Sequence, residues 1–279
     1  MRKHTTLTAA IALALGASGA ALAANVATVD QYGEGNTATV SQTNSAEPMY
    51  ATIYTDGAYN QAHIVQDDSW FAQASIYQSN SYYNTAEIEQ TNISDYADAT
   101  IEQVNSSSNT ARIDQEGANG SSARIHQGDG SYGSQAVINQ TYSPANLAYI
   151  EQNYSYYATA TINQGGSGGN DASIYQYDAD YSNASIDQYG DYNLASISQT
   201  DADFSGADID QVGDYNYASV YQGGGEYNLA SVYQNGTANT AYVSQYGSDN
   251  QAYVTQYNSG HSASVSQTGV GNYASIYQQ

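Results

Sequence analysis

Several residue types are absent or rare in this sequence, and each absence excludes something. There is no cysteine, which excludes disulfide bonds and thiolate metal sites. Only two residues are proline, and both fall between the repeats described below, where no strand hydrogen bond is lost. Four Lys plus Arg stand against 27 Asp plus Glu, which excludes the basic surface that nucleic-acid binding needs. Leu and Phe are scarce, and the apolar side chains after residue 23 are mainly Ala, Ile, Val and Tyr, whereas the irregular core of a globular domain needs larger and more varied residues.

Long apolar runs are missing too, except at the start of the chain. A short basic segment precedes an apolar run from Leu7 to Leu15, and small residues ending in Ala21-Leu22-Ala23 follow. This order predicts a secretory signal peptide over residues 1–23, since the run is too short to span a bilayer. We therefore predict a secreted protein whose mature part is 24–279.

The chain consists mainly of one seven-residue pattern, Asn-x-Ala-x-(Ile/Val)-x-Gln, of which residues 193–199 are one copy. The pattern occurs 22 times after the leader, at spacings of 11 to 13 residues. All 22 copies have Ala at the third position and Ile or Val at the fifth, and 13 have Asn at the first. One copy ends in Thr55 instead of Gln.

The fixed residues stand at every second position, which places them on one face of an extended strand and would scatter them around a helix. Four to six residues rich in Gly, Asn, Asp, Ser and Tyr separate the copies and predict chain reversals. Two copies then make one flat coil, and copies n and n+2 stack in parallel. We predict an all-β fold for 24–279: a parallel two-sheet β-solenoid of about 11 coils, with two strands per coil and uncapped ends.

The inward face of this solenoid would carry the fixed amides as well as the apolar residues. A buried amide without a partner costs roughly 1–3 kcal/mol. We expect each amide to bond the identical amide one layer away, in a ladder that uses donors and acceptors alike. The residues that we single out for the ladder and its apolar neighbours are Asn36, Gln42, Asn84, Gln90, Asn193, Ile197, Gln199, Asn228, Val232 and Gln234.

The first and last copies match the repeat fully, so both end strands are predicted to lack a cap. Soluble solenoids need atypical capping repeats, whereas a bare edge strand offers unpaired backbone groups to another chain. We therefore expect chains to stack on one another into a homopolymeric fibre. The expected contact residues are Asn25, Val29 and Gln31 at one end and Asn272, Ile276 and Gln278 at the other.

The repeat resembles the curlin repeat of curli subunits, the secreted functional amyloids of Gram-negative bacteria. The pattern Gln-x4-Asn-x5-Gln stands at Gln31, Asn36 and Gln42, and it recurs over essentially all of 24–279. The resemblance implies a cell-surface fibre subunit, exported through an outer-membrane pore, with a nucleator subunit as partner. It also implies roles in adhesion, biofilm matrix and contact with host or surface ligands. A main structural subunit is favoured over a minor one.

The sequence leaves two other classes of protein as alternatives. A monomeric secreted solenoid that binds ice or carbohydrate needs caps and a flat, regular row such as Thr-x-Thr. A polysaccharide-degrading β-helix enzyme needs long loops that cluster acids, whereas the loops here are uniformly short. We therefore predict a structural protein without catalytic residues, cofactor or bound metal.

The remaining candidates for chemistry are few, and each has a structural explanation. The three histidines after residue 23, His63, His126 and His261, lie far apart in the predicted stack. Turn acids could hold Ca²⁺ with backbone oxygens, but solvated turns are the favoured interpretation of Asp178, Asp180, Asp201 and Asp203. Ten copies carry an aromatic residue just before the repeat, where we expect stacked rings: Tyr59, Phe71, Tyr83, Tyr96, Tyr157, Tyr181, Tyr192, Phe204, Tyr215 and Tyr227.

Overall fold

Residues 25–279 fold into 22 β-strands without a helix, as described by a computed structural model. The predicted signal peptide, 1–23, lies outside the described residues. The strands form two parallel 11-stranded sheets in which every strand neighbours the strand two places along the chain. The prediction of an all-β, two-sheet solenoid with two strands per coil and 11 coils is confirmed. In this part of the chain no helix is long and apolar enough to cross a membrane.

The two sheets divide the strands by their order in the chain. The odd sheet contains β1 (Val26–Glu34), β3 (Tyr50–Ala58), β5 (Gln73–Tyr82), β7 (Asp98–Val104), β9 (Ser122–Gly128), β11 (Leu147–Asn153), β13 (Asp171–Tyr177), β15 (Leu194–Thr200), β17 (Tyr217–Gly223), β19 (Thr240–Tyr246) and β21 (Ser262–Thr268). The even sheet contains β2 (Thr37–Thr43), β4 (Gln61–Asp67), β6 (Thr85–Thr91), β8 (Thr110–Glu116), β10 (Gln135–Thr141), β12 (Thr159–Gly168), β14 (Asn183–Asp191), β16 (Gly206–Asp214), β18 (Leu229–Thr237), β20 (Gln251–Ser259) and β22 (Tyr273–Gln278).

The register between neighbouring strands places identical repeat positions opposite one another. Between β10 and β12, for example, Ala136 faces Ala160, Ile138 faces Ile162 and Gln140 faces Gln164. The pairing shifts in two places only among the described strands, between Thr55 and Gly57 and between Gly165 and Gly168. In both cases the shift follows the repeat, so the inward residues of every layer keep their register.

Most strands begin one residue after the conserved Asn rather than at it, as β15 does after Asn193. The reason is that the N–H of Asn193 is bonded to a side chain, Asn170 Oδ1, at 2.9 Å and takes no part in the strand ladder. The Asn position therefore belongs to the bend that leads into each strand.

The core is one file of small and branched side chains between the sheets. Ala and Ile or Val of every interior layer are buried, and Ile197 and Val232 are fully inaccessible. Burying an Ile or Val side chain contributes on the order of 1.5–3 kcal/mol. Because each layer meets an identical layer, two side-chain sizes fill this space and larger ones are not needed. The corresponding residues of the end layers, Ala27, Val29, Ala274 and Ile276, are only partly buried.

The turns depend on left-handed backbone conformations at fixed places. All ten aromatic residues that precede the repeat have φ between 51° and 58°. Bulky residues rarely adopt this conformation, which costs on the order of 1–3 kcal/mol. Other copies place glycine there, as at Gly133 with φ 66° and Gly169 with φ 73°. Several of the separating segments predicted to reverse the chain have a glycine two places after the Gln, and these glycines also have positive φ, with Gly236 at 142°.

Replacing Gly236 by alanine tests the close stacking of these turns. An alanine Cβ at this position would overlap the carbonyl oxygen of Asn258 in the next layer. We expect Gly236→Ala to lower the free energy of unfolding by clearly more than the roughly 1–2 kcal/mol that a left-handed alanine costs. The matched control is Gly260→Ala, where φ is also positive and no atom lies within 4 Å of the added Cβ. Equal losses in chemical unfolding of the two variants would show that the turns are not in close contact.

Candidate functional site: the amide ladders and the end strands

The conserved glutamines form two files of side-chain hydrogen bonds through the core. In each file Nε2 of one Gln donates to Oε1 of the Gln one layer further on, at 2.7–2.9 Å. The file in the even sheet runs from Gln42 through Gln90 and Gln234 to Gln278. The file in the odd sheet runs from Gln78 through Gln199 to Gln267. Every step points the same way along the stack, so the files have a direction.

The second amide proton of each glutamine in the two files ties the two sheets together. Gln211 in β16 donates to the carbonyl oxygen of Leu194 in β15 at 3.2 Å, and Gln164 in β12 donates to that of Leu147 in β11 at 2.8 Å. A buried Gln thereby uses both of its donors, one within its sheet and one across the core. The Gln side chains thus connect successive layers and also connect the two sheets.

The asparagines bond to the next layer both through their amides and through the backbone. Nδ2 of Asn216 donates to Oδ1 of Asn193 at 3.1 Å, and Nδ2 of Asn250 donates to Oδ1 of Asn228 at 3.0 Å. Oδ1 of Asn193 accepts from the backbone N–H of Asn216 at 3.0 Å, and its Nδ2 donates to the carbonyl oxygen of Gly213 at 2.7 Å. An Asn side chain at the bend reaches the backbone of the next turn, so these backbone bonds add to the amide-to-amide contacts. Asn36, Asn84 and Asn228 make the same pair of contacts with the turn and bend of the next layer.

Buried serines complete the turns, although the repeat pattern of Asn, Ala, Ile and Gln did not predict them. Ser94 and Ser131 donate to the backbone carbonyl oxygens of Gln115 and Gln152 in the next layer, at 2.7 and 2.8 Å. Where serine replaces the conserved Asn, its hydroxyl accepts the backbone N–H that Asn would accept, as Ser205 does from Asn228 at 3.1 Å. The signal was present in the sequence: four of the copies without Asn have Ser at that position.

One layer interrupts the glutamine file of the odd sheet. Thr55 lies in register between Gln31 and Gln78 and is fully buried, but its shorter side chain reaches neither amide. Nε2 of Gln31, Oγ1 of Thr55 and Oε1 of Gln78 are all buried without a hydrogen-bond partner. The same strand is preceded by Met49 in the Asn position, so this layer lacks both of its amides.

The two arginines of the described residues are both held by acids on the outward faces. Arg112 on β8 contacts Glu89 at 2.6 Å and Asp114 at 3.1 Å. Arg124 on β9 contacts Glu102 at 2.8 Å. Burial would raise the pKa of Glu102, but Arg124 and His126 outweigh it and lower this pKa. These pairs are partly exposed, so we expect each to contribute little to stability.

Some acids on the outward faces, such as Asp187 and Asp210, form no ion pair with any described residue. Asp187 on β14 lies in register with Asp210 on β16. Burial, and then the charge of Asp187, raises the pKa of Asp210 and of its strand neighbour Asp208. Protonating these carboxyls therefore relieves an unfavourable charge in the folded state.

The acids and histidines that could bind a metal ion make hydrogen bonds within the protein or lie on different sheets. Asp180 accepts a hydrogen bond from the backbone N–H of Tyr156 at 2.8 Å, and Asp203 accepts one from Asp180 at 2.9 Å. His126 contacts Glu102 at 3.2 Å, and His63 lies on β4 of the opposite sheet. Across residues 25–279, no group of three or more His, Asp or Glu side chains is placed to hold a metal ion.

The end strands repeat the pattern of the interior strands. β1 and β2 form one end of the two sheets, β21 and β22 form the other, and among the described residues each pairs on one side only. Every glutamine in a file donates in the same direction along the stack. At one end of the described stack, the amide N–H groups of Gln267 and Gln278 therefore have no further glutamine to donate to. At the opposite end the side-chain oxygen of Gln42 is the acceptor that continues the file. The two ends therefore present complementary hydrogen-bonding groups.

Comparison with known families supports the identification of the repeat. The family described as curlin associated repeat matches residues 23–43 and 225–257, near the two ends of the solenoid. No curated protein matches the chain significantly. The resemblance inferred from the spacing of Gln and Asn is thereby confirmed, and the strands between the matched regions continue the same register.

Completing the interrupted file tests the contribution of the glutamines. Thr55→Gln would supply the missing donor and acceptor to Gln78 and Gln31. We expect it to raise the free energy of unfolding by about 1–3 kcal/mol, the cost of a buried polar group left unpaired. Chemical unfolding of freshly prepared, unassembled chain measures this gain.

The matched control lies on the same strand. Thr52 points outward and is exposed, so Thr52→Gln should leave stability unchanged. A Thr55→Gln variant no more stable than the native chain would contradict the role that we assign to the file.

The acidic outward face predicts a pH dependence. The native state binds more protons than the unfolded chain between the ordinary Asp pKa of about 3.9 and the raised pKa values of Asp208 and Asp210. In that window the contribution of these groups to stability rises as pH falls. We expect Asp210→Asn to reduce this gain, measured by thermal unfolding from neutral pH down to pH about 4. An identical pH profile for the variant and the native chain would exclude the contribution of this residue.

Proposed function

We propose that this chain, which carries the curlin repeat, is a structural subunit of an extracellular curli-like amyloid fibre. The observation that carries the proposal is the likeness of the end layers to the interior layers. β1 and β22 present the same Ala, Ile or Val and Gln positions that pair inside the stack. A second chain can add at either end without a change of pattern.

The junction between two chains would repeat the contacts inside one chain. β21 of one chain would pair with β1 of the next, and β22 with β2. Val265 would then stack on Val29, and Gln267 would donate to Gln31, as Gln245 donates to Gln267 within the chain at 2.9 Å. The complementary ends favour head-to-tail addition, because donors would otherwise meet donors.

The interactions that hold the layers of one chain together would also drive the addition of a second chain. The partly buried side chains of Val29 and Ile276 would become enclosed, and each unpaired strand edge would gain a row of backbone hydrogen bonds. Parallel, in-register strands perpendicular to the growth axis are the arrangement of cross-β fibres. The acid excess on the outward faces would slow lateral association by repulsion between like charges.

Location and partners follow from the resemblance and remain proposals. The predicted leader supports secretion, and the curlin repeat supports a place on the surface of a Gram-negative cell. An export pore, a nucleator subunit and surface or host ligands would be its partners. Adhesion and biofilm matrix formation would be its biological roles.

The alternative, a monomeric solenoid that binds ice or carbohydrate, has less support. Its outward face would need a uniform row, whereas one outward column of the odd sheet passes through Thr100, Arg124, Tyr149 and Ser173. Residues of such different size and charge do not form a flat, periodic surface.

Fibre formation is the direct test of the proposal. The purified mature chain, incubated at high concentration, should form fibrils with a meridional reflection at about 4.7–4.8 Å. A chain that stays monomeric for days under these conditions would support the monomeric alternative instead.

A variant of the last strand tests growth through the end. Ile276→Lys places a charge where a new layer should pack, so we expect seeded elongation at this end to slow at least about tenfold, equivalent to about 1.4 kcal/mol. Tyr277→Lys on the same strand is the matched control, because Tyr277 points outward and is 63% exposed. Equal elongation rates for both variants in seeded growth assays would argue against templating by β22.

A further inference from the structure

Tyrosine rings at adjacent layers are stacked face to face at several turns. Ring centroids are 5.1 Å apart for Tyr59 and Tyr83, with planes inclined by 8°. They are 5.2 Å apart for Tyr192 and Tyr215, with planes inclined by 16°. The pair Tyr157 and Tyr181 has a spacing of 5.3 Å and an angle of 23°. The members of a pair are far apart in sequence, so only the stacking of the solenoid brings them together.

These pairs are both fixed in place and open to reagents. Each ring stands on a left-handed residue at the same position of its turn, so both members leave the backbone in the same direction. Tyr59 and Tyr83 are 45% and 61% exposed, and Tyr192 and Tyr215 are 59% and 60% exposed. A stacked pair that solvent reaches is a favourable arrangement for a reaction between the two phenols.

We propose that the stacked tyrosine pairs are sites of oxidative coupling to dityrosine by a haem peroxidase with hydrogen peroxide as oxidant. Each phenol loses one electron and one proton, which gives two neighbouring phenoxyl radicals. The radicals join through a new carbon–carbon bond between ring carbons next to the hydroxyls. The hydrogens on those carbons then move to the oxygens and restore both aromatic rings. Overall, two phenols lose two hydrogen atoms, and one hydrogen peroxide becomes two waters.

The chain contains natural interruptions of the same stacks. Phe204 lies between Tyr181 and Tyr227, at 5.1 and 5.2 Å, and Phe71 stacks on Tyr96 at 5.2 Å. A phenylalanine lacks the hydroxyl from which the radical forms, so coupling should stop at these positions. Because the Phe–Tyr pairs stack at the same distances as the Tyr–Tyr pairs, pairs with and without the second hydroxyl can be compared within one molecule.

Coupling would add covalent ties between adjacent coils at the turn edges. The pairs lie within one chain, so the reaction does not require polymerisation and the inference goes beyond the proposed fibre. Each tie would close a loop of about two strands and should make the coils harder to separate, as other cross-links do by restricting the unfolded chain.

The experiment treats the full chain with a haem peroxidase and hydrogen peroxide, followed by proteolysis and mass spectrometry. We expect cross-linked peptides, lighter by two hydrogen atoms, that join Tyr59 to Tyr83 and Tyr192 to Tyr215, together with dityrosine fluorescence. Tyr59→Phe should abolish the first cross-link and leave the second unchanged. Denaturing the chain before oxidation should abolish the preference for these two cross-links over cross-links between other tyrosines.

A gain-of-reaction variant and unstacked tyrosines complete the test. Phe204→Tyr should create new cross-links from position 204 to Tyr181 or Tyr227. Tyr189 and Tyr246 are 52% and 56% exposed and stack on no other ring within residues 25–279, so they should couple at least about tenfold less often. Cross-links at Tyr189 and Tyr246 as frequent as those of the stacked pairs, or no in-chain coupling at 59 and 83, would overturn the proposal.

Discussion

The hydrogen bond from one buried glutamine to the next is the constraint on which the rest of the structure depends. A primary amide buried between two sheets costs roughly 1–3 kcal/mol unless its donors and its acceptor are used. An identical amide one layer away meets that requirement at 2.7–2.9 Å along both sheets. The requirement fixes the register of every strand, because a shift by one residue would turn each amide outward.

This constraint explains which parts of the chain vary and which do not. The turns change in length and composition, because their backbone groups can be satisfied by Asn, by Ser or by the next turn. The outward faces accept Tyr, Asp, Ser or Arg, because they meet solvent. Where the constraint fails, at Thr55, the consequence is local: three polar atoms lose their partners while the apolar file of Ile53 and its neighbours continues. The stack therefore tolerates one layer that lacks the glutamine hydrogen bond.

The alternation of fixed residues made the strands and their stacking predictable, whereas the conformation of the turns was harder to predict. The two-residue period of Ala, Ile and Gln identifies the inward face, and the equal spacing of copies identifies the stack. The bonding of Asn193 to the backbone of the next turn could not be inferred from alternation, because it depends on the path of the chain between strands. The left-handed conformation of Tyr59 and its equivalents was also missed, although glycine at the same position in other copies indicated it. Turn chemistry is set by local backbone geometry that the strand pattern does not encode.

The central claim is that the register continues from one chain into the next, and the absence of cysteine allows a clean measurement of it. Thr28 on β1 and Ser264 on β21 are exposed, outward residues at the same position of the repeat. Adjacent parallel strands lie about 4.8 Å apart, within the Cα range for a disulfide. Fibres grown from a mixture of Thr28→Cys and Ser264→Cys chains should form mixed disulfide dimers on oxidation, and few dimers of either variant with itself. Dimers of each variant with itself in equal yield, or no dimers, would contradict head-to-tail continuation of the stack.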